Sequence, residues 1–119
     1  MTEHNLQIGR IGEEIAKEYL EDKDYNIMEQ NCQTRYSEID LIAKKNDVLV
    51  FVEVRTKTSE KFGSPEETIN KEKIRKLVRS ANAYSARKRW KGQCRIDAVC
   101  VVLDQSHKLN RIQHYESIV

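Results

Sequence analysis

The amino-acid sequence predicts an α/β sandwich around a mixed β-sheet, and three observations carry that expectation. Two segments, residues 6–22 and roughly 71–90, repeat apolar side chains at helical spacing. Around them lie short runs rich in Val, Ile, Phe and Tyr, bounded by turn residues, which read as strands. The resulting order is α-β-β-β-α-β, with residues 109–118 offering a further edge strand. A long helix between the third and fourth strands requires a right-handed crossover, so those two strands become parallel neighbours.

Each element has a local reason. Residues 6–22 place Leu6, Ile8, Ile11, Ile15, Ala16, Tyr19 and Leu20 on one stripe. Residues 25–32, YNIMEQNC, form a short strand. Residues 37–44 and 47–57 form a hairpin turned at KKND, where Asn46 and Asp47 suit a tight turn. The one long loop, TSEKFGSPEE at 58–67, is punctuated by Gly63 and Pro65. The second helix has two candidate starts. Ser64-Pro65-Glu66-Glu67 reads as a capping box with proline at the first helical position, and Asn70 is a second cap. Its stripe is Ile74, Leu77, Val78, Ala81 and Tyr84, and its end is expected between Trp90 and Gly92. Residues 94–103, CRIDAVCVVL, form a strongly apolar strand expected to bury both Cys94 and Cys100.

At 119 residues the expectation is one domain, 1–119, able to bury a core without disulfides or a structural metal. Charged residues make up 34% of the chain and hydrophobic ones 39%. No apolar run approaches the ~18 residues of a membrane span. The opening MTEHNLQIGRIGEEIAKEYL lacks the basic-then-apolar pattern of a secretory signal. The three cysteines form no C-x-x-C pair and lie apart from the scattered His4, His107 and His114. They read as free thiols of a reducing cytoplasm, not as zinc ligands. The net charge of +2 conceals an asymmetry. Residues 1–30 hold eight acids against Arg10, Lys17 and Lys23, whereas residues 71–91 hold nine bases against Glu72. That cationic segment, with Lys71, Lys73, Arg75, Lys76 and Arg79 at its start, points to an anionic partner, nucleic acid above all. A basic helix face that is merely solvated is the alternative.

The stretch SEIDLIAKKNDVLVFVEVRTK, residues 37–57, carries the chemistry. Residues two apart share a strand face, so Val48, Val50, Val52, Val54 and Thr56 lie on one face and Leu49, Phe51, Glu53, Arg55 and Lys57 on the other. The second face begins apolar and turns charged halfway along, as in a strand buried at one end and opening into a cleft at the other. On the partner strand Glu38, Asp40 and Ile42 share a face, and Ile39, Leu41 and Ala43 share the opposite one. A hairpin centred near residue 46 sets Asp40 across from Glu53. Carboxylates on neighbouring strands lie ~5 Å apart and repel unless a cation joins them. One reading places Mg²⁺ (or Mn²⁺) there, because it takes oxygen ligands. The other is an ion-pair network with Arg55, Lys57 or Arg95.

An acid on one strand followed by Glu-x-Lys on the next resembles the core of the restriction-endonuclease-like nucleases, whose element order is also α-β-β-β-α-β. More closely, the chain resembles the YraN-like family of bacterial proteins, itself similar to archaeal Holliday-junction resolvases. The matching pieces are GRIGEEIAKEYL, SEIDLIA, VFVEVRTK, Lys73 and CRIDAV, which cover nearly the whole chain in order. The resemblance implies that Asp40 and Glu53 are metal ligands, with the main-chain carbonyl of Val54 as a third and Glu13 completing the site. It implies that position 55 holds a lysine that helps activate the attacking water. Glu38 matches a motif position without a defined role; holding Arg95 or Lys57 is one use for it.

The chain departs from this pattern at Arg55, which stays protonated and cannot act as a general base. It can bind a phosphate bidentately, and Lys57 shares its strand face ~7 Å further on. Two expectations follow. One is a Mg²⁺-dependent endonuclease of DNA, branched or junction forms included, with Glu13, Asp40, Glu53, Arg55 and Lys57 as its site. The other is a non-catalytic nucleic-acid-binding module of the same fold. A purely structural or protein-binding domain would need ion pairing alone to explain the carboxylates. Pairing through residues 109–118 would give a homodimer.

Overall fold

The computed structural model describes residues 2–119. The chain runs α1 (Glu3–Asp22), β1 (Asn26–Gln33), β2 (Glu38–Lys45), β3 (Val48–Lys57), a 3-10 turn (Glu66–Thr68), α2 (Lys71–Arg87), β4 (Gln93–Leu103) and β5 (Leu109–Tyr115). The five strands lie in the sheet in chain order. Only β3 and β4 are parallel; the other pairs are antiparallel. This is the mixed α/β sandwich of restriction-endonuclease-like order, with β5 as the added edge strand.

The two helices cover opposite faces. On α1 the buried residues Ile8, Gly12, Ala16 and Leu20 recur every four positions and pack on Val50, Val52, Val54, Val99 and Val101. The helix begins before the apolar stripe because the Thr2 hydroxyl accepts the Asn5 N–H at 3.2 Å. At Gly12 it meets the sheet directly: a Cβ there would sit 1.7 Å from Thr56 Oγ1. Only glycine permits this approach, which brings Glu13 to the carboxyl end of β3.

Both candidate starts of the second helix are used in succession. Ser64 Oγ accepts the Glu67 N–H at 3.3 Å and opens the 3-10 turn, and Asn70 Oδ1 then accepts the Lys73 N–H at 2.9 Å and opens α2. The helix stops at Arg87, short of Trp90, because Arg89 adopts a left-handed φ of 55°. Its buried face is Leu77, Ser80, Ala81 and Tyr84; Tyr84 meets Phe51 edge-on at 5.7 Å within a second core cluster of Ile39, Ile42 and Leu49. Ser80, which the apolar stripe omits, is fully buried.

Asn46 and Asp47 take φ of 50° and 63°, the primed-turn geometry that fixes the β2–β3 register at Lys45↔Val48. Along β2 the side-chain alternation breaks between Ile39 and Leu41. Ile39 joins the α2-side cluster while Leu41 and Ala43 join the α1-side one. The interruption faces Asn31, a left-handed residue (φ 49°) between the pairs Gln30↔Leu41 and Cys32↔Ile39. Cys94, expected inside, is exposed because β4 is buried only from Asp97 onward. Cys32 and Cys100 are buried, and burial pushes the Cys100 thiol up to about 12. β5 ends at Tyr115, where Ser117 (φ 54°) turns its N–H onto Asp97 at 3.0 Å. Among the described residues no helix is long and apolar enough to cross a membrane.

Candidate functional site

The half-apolar face of β3 ends in a buried charge. Glu53 is 2% exposed. Its Oε2 lies 2.9 Å from Arg55 Nε and 3.5 Å from Lys73 Nζ. Its Oε1 is buried without any hydrogen-bond partner. The Arg55 Nε–H is not aimed along a hydrogen bond either, so charge alone holds that pair. A buried carboxylate with a free oxygen costs several kcal/mol (on the order of) unless something completes its coordination.

Asp40 supplies the second acid. The β2–β3 ladder runs from Lys45↔Val48 to Leu41↔Val52. One step on, Asp40 departs from simple pairing and its Oδ2 accepts the Val54 N–H at 2.8 Å. Burial, then the charge of Glu53, raise its carboxyl from 3.8 to about 8, although the Val54 amide pulls the other way. Glu13 approaches from α1. Burial raises its carboxyl, the Asn31 amide opposes this, and the charges of Glu38 and Glu53 add to it.

The three acids line one open cavity of about 740 Å³, shared with Arg55, Lys57 and Lys73. Asp40 and Glu53 adjoin, whereas Glu13 stands at the rim, where Asn31 Nδ2 donates to its Oε1 at 2.8 Å and to Glu38 Oε1 at 3.1 Å. Among the described residues no three acidic, histidine or cysteine side chains are already gathered around one point. The donor chemistry nevertheless fits a hard divalent cation: two crowded carboxyl groups, one held up by the other, and a buried oxygen without a partner.

Several expectations change at this point. Arg95 is remote from the acids; it binds Asp97 at 2.8 Å and Glu116 at 3.1 Å, and takes no part in neutralising Glu53. Glu38 is held by the Asn31 amide, not by Arg95 or Lys57. Lys57 lines the cavity and makes no ion pair among the described residues. Lys73, counted above with the outward bases of the helix, turns inward onto Glu53, while Lys71, Arg75, Lys76 and Arg79 stay exposed on α2. The sequence reading missed Asn31, which has no charge to mark it. Its left-handed φ is a conformation asparagine tolerates better than most residues.

Fold and site together define a restriction-endonuclease-like α/β domain with a paired-acid cleft at the carboxyl end of its central strand. The chain belongs to the uncharacterised protein family UPF0102, whose model matches residues 12–101. It is 42% identical over 110 residues to a UPF0102 protein of Syntrophomonas wolfei, covering 91% of this chain and 96% of that one. It is 38% identical over 118 residues to a UPF0102 protein of Pelotomaculum thermopropionicum, covering 98% of each. A Flavobacterium psychrophilum relative, UPF0102 protein FP2501, is 38% identical over 116 residues, covering 98% of this chain and 95% of that one.

Proposed function

We propose that this chain is a divalent-metal-dependent nuclease acting on DNA, with branched or junction forms within its range. The observation that carries the reading is the unpartnered Oε1 of buried Glu53 beside the raised carboxyl of Asp40. Asp40 and Glu53 would hold Mg²⁺ or Mn²⁺, with Glu13 reaching in from the rim. The ion, when bound, supplies Lewis-acid polarisation of a phosphoryl oxygen and lowers the pKa of water.

The chain's own residues divide the remaining work. Arg55 lines the cleft and is partly exposed, so its guanidinium can bind a phosphate oxygen and offset developing negative charge, but it cannot accept a proton. Lys73 brings a second cation to the same carboxylate and fixes the Glu53 side chain. Lys57, without an ion pair among the described residues, is available to a phosphate further along the same strand face. The exposed bases of α2 hold the flanking backbone.

One observation favours a non-catalytic nucleic-acid-binding module instead: Arg55 and Lys73 already neutralise one oxygen of Glu53. Calorimetric titration with Mn²⁺ and cleavage assays on single-stranded, duplex and four-way-branched DNA separate the two. The nuclease reading expects Mn²⁺ binding and cutting that Glu53→Gln abolishes. Retention of DNA with neither metal binding nor cutting by the parent protein would leave the binding module in its place.

A further inference from the structure

Next to the acid cleft, but outside it, the turn between β1 and β2 presents an aromatic ring to solvent. Tyr36 is 40% exposed, two residues before Glu38 of the cleft. The Arg35 guanidinium lies 5.4 Å from its ring centroid and that of Arg79, from α2, lies 6.0 Å away. The turn beneath it is tightly held. Thr34 N–H donates to Ser37 O at 3.0 Å. Thr34 Oγ1 accepts the N–H groups of Tyr36 and Ser37 at 3.2 Å each. Fully buried Ser80 of α2 then ties the turn to the helix, 2.9 Å from Thr34 Oγ1 and 2.6 Å from Ser37 Oγ.

A fixed backbone that holds a tyrosine outward between two arginines is costly to build for packing alone, because the ring stays half in water. We propose that Tyr36 is a stacking platform for an unpaired base of the bound nucleic acid, with Arg35 and Arg79 on the phosphates to either side. Stacking on an aromatic face is open to every base and adds to arginine contacts along the strand. A base that displaces a guanidinium from the ring frees that arginine for a phosphate, so the two interactions exchange without leaving a charge unpaired. A continuous duplex offers no unpaired base. The platform therefore selects single-stranded, looped or branched nucleic acid and sets its backbone beside Glu38 and the cleft. The proposal rests on the nucleic-acid part of the function proposed above and not on cleavage.

The test is fluorescence anisotropy at low salt in EDTA, so that neither metal nor cutting enters. The probes are a single-stranded oligonucleotide, a blunt duplex and a duplex with a single-stranded branch. Tyr36→Ala is expected to weaken the first and third by about 5- to 150-fold, leave the blunt duplex unchanged, and melt with the parent protein. Tyr36→Phe is expected to bind as the parent does. A 2-aminopurine base in the single strand should be quenched by the parent and by Tyr36→Phe, and not by Tyr36→Ala. Equal loss on all three probes, no loss on any, or a concentration-dependent dimer that Tyr36→Ala dissolves would overturn the platform. If the parent retains none of the probes, the platform and the nucleic-acid reading fall together. If it binds them here as expected but cuts none in the Mn²⁺ cleavage assay, only cleavage falls.

Discussion

Asp40→Asn tests the acid pair most directly. In the folded protein the Asp40 carboxyl holds its proton up to about pH 8 instead of 3.8. A raised acid stabilises the fold most below its ordinary value, and that stability is lost as pH rises from there towards 8. Linkage makes this interval worth up to ~6 kcal/mol. Asparagine removes the linkage but keeps the geometry. Its amide oxygen can accept the Val54 N–H as Asp40 Oδ2 does at 2.8 Å, and its NH₂ carries no charge to repel the neighbouring Glu53. Arg55 and Lys73 already blunt the charge of Glu53, so about 2 kcal/mol of net gain is expected near pH 8.5, or roughly 8 °C in Tm for a domain of this size. The assay is thermal unfolding in EDTA across about pH 5 to 8.5. The difference between variant and parent should be smallest at the acid end and widen as pH rises. Adding Mg²⁺ should raise the parent's Tm and leave the variant unmoved. A variant that melts below the parent at pH 8.5, or a difference independent of pH, would show that Asp40 sits in a satisfied ion-pair network and that the crowding argument is wrong.

Three further outcomes follow from other parts of the molecule. If the exposed bases of α2 hold phosphates, log Kd on duplex DNA should vary steeply with log salt, and Arg75→Ala and Lys76→Ala should each reduce the magnitude of the slope by about 0.9; an unchanged slope would return these residues to solvent. Arg55→Lys should cut DNA faster than the parent with Mn²⁺, because lysine can shuttle a proton and general-base help is worth ~10²- to 10⁴-fold, with Glu53→Gln as the inactive control; slower cutting would make the arginine itself the working group. Asp97 is fully buried, bound by Arg95, His114 and the Ser117 amide. Burial alone would push its carboxyl up, but those hydrogen bonds together leave it below its ordinary value, so its contribution is present above the usual carboxylate range and lost as pH falls. Asp97→Ala should cost ~3–5 kcal/mol in urea unfolding at neutral pH, and a loss under about 1 kcal/mol would refute the network.

The alternating valines of β3, the helical stripes and the Asn46-Asp47 turn are local patterns, and local patterns determine which segments form which elements. They also determine the register that sets Asp40 beside Glu53, because a two-residue primed turn leaves the hairpin no other pairing. The helix between β3 and β4 determined the single parallel pair in the same way. Tertiary packing decided the rest. Whether an exposed helix acid belongs to a site depends on how closely α1 meets the sheet, and Gly12 against Thr56 sets that distance for Glu13. Whether a basic side chain points out or in depends on what lies under it. Lys73 and Lys76 look alike in the chain, yet only Lys73 reaches a buried carboxylate. Arg95, two residues from an acid of its own, never reaches Glu53, because its charge is spent on Asp97. Asn31 and Ser80, neutral and unremarked in sequence, hold the rim and the turn because hydrogen bonds across the fold are made between residues that sequence distance does not relate.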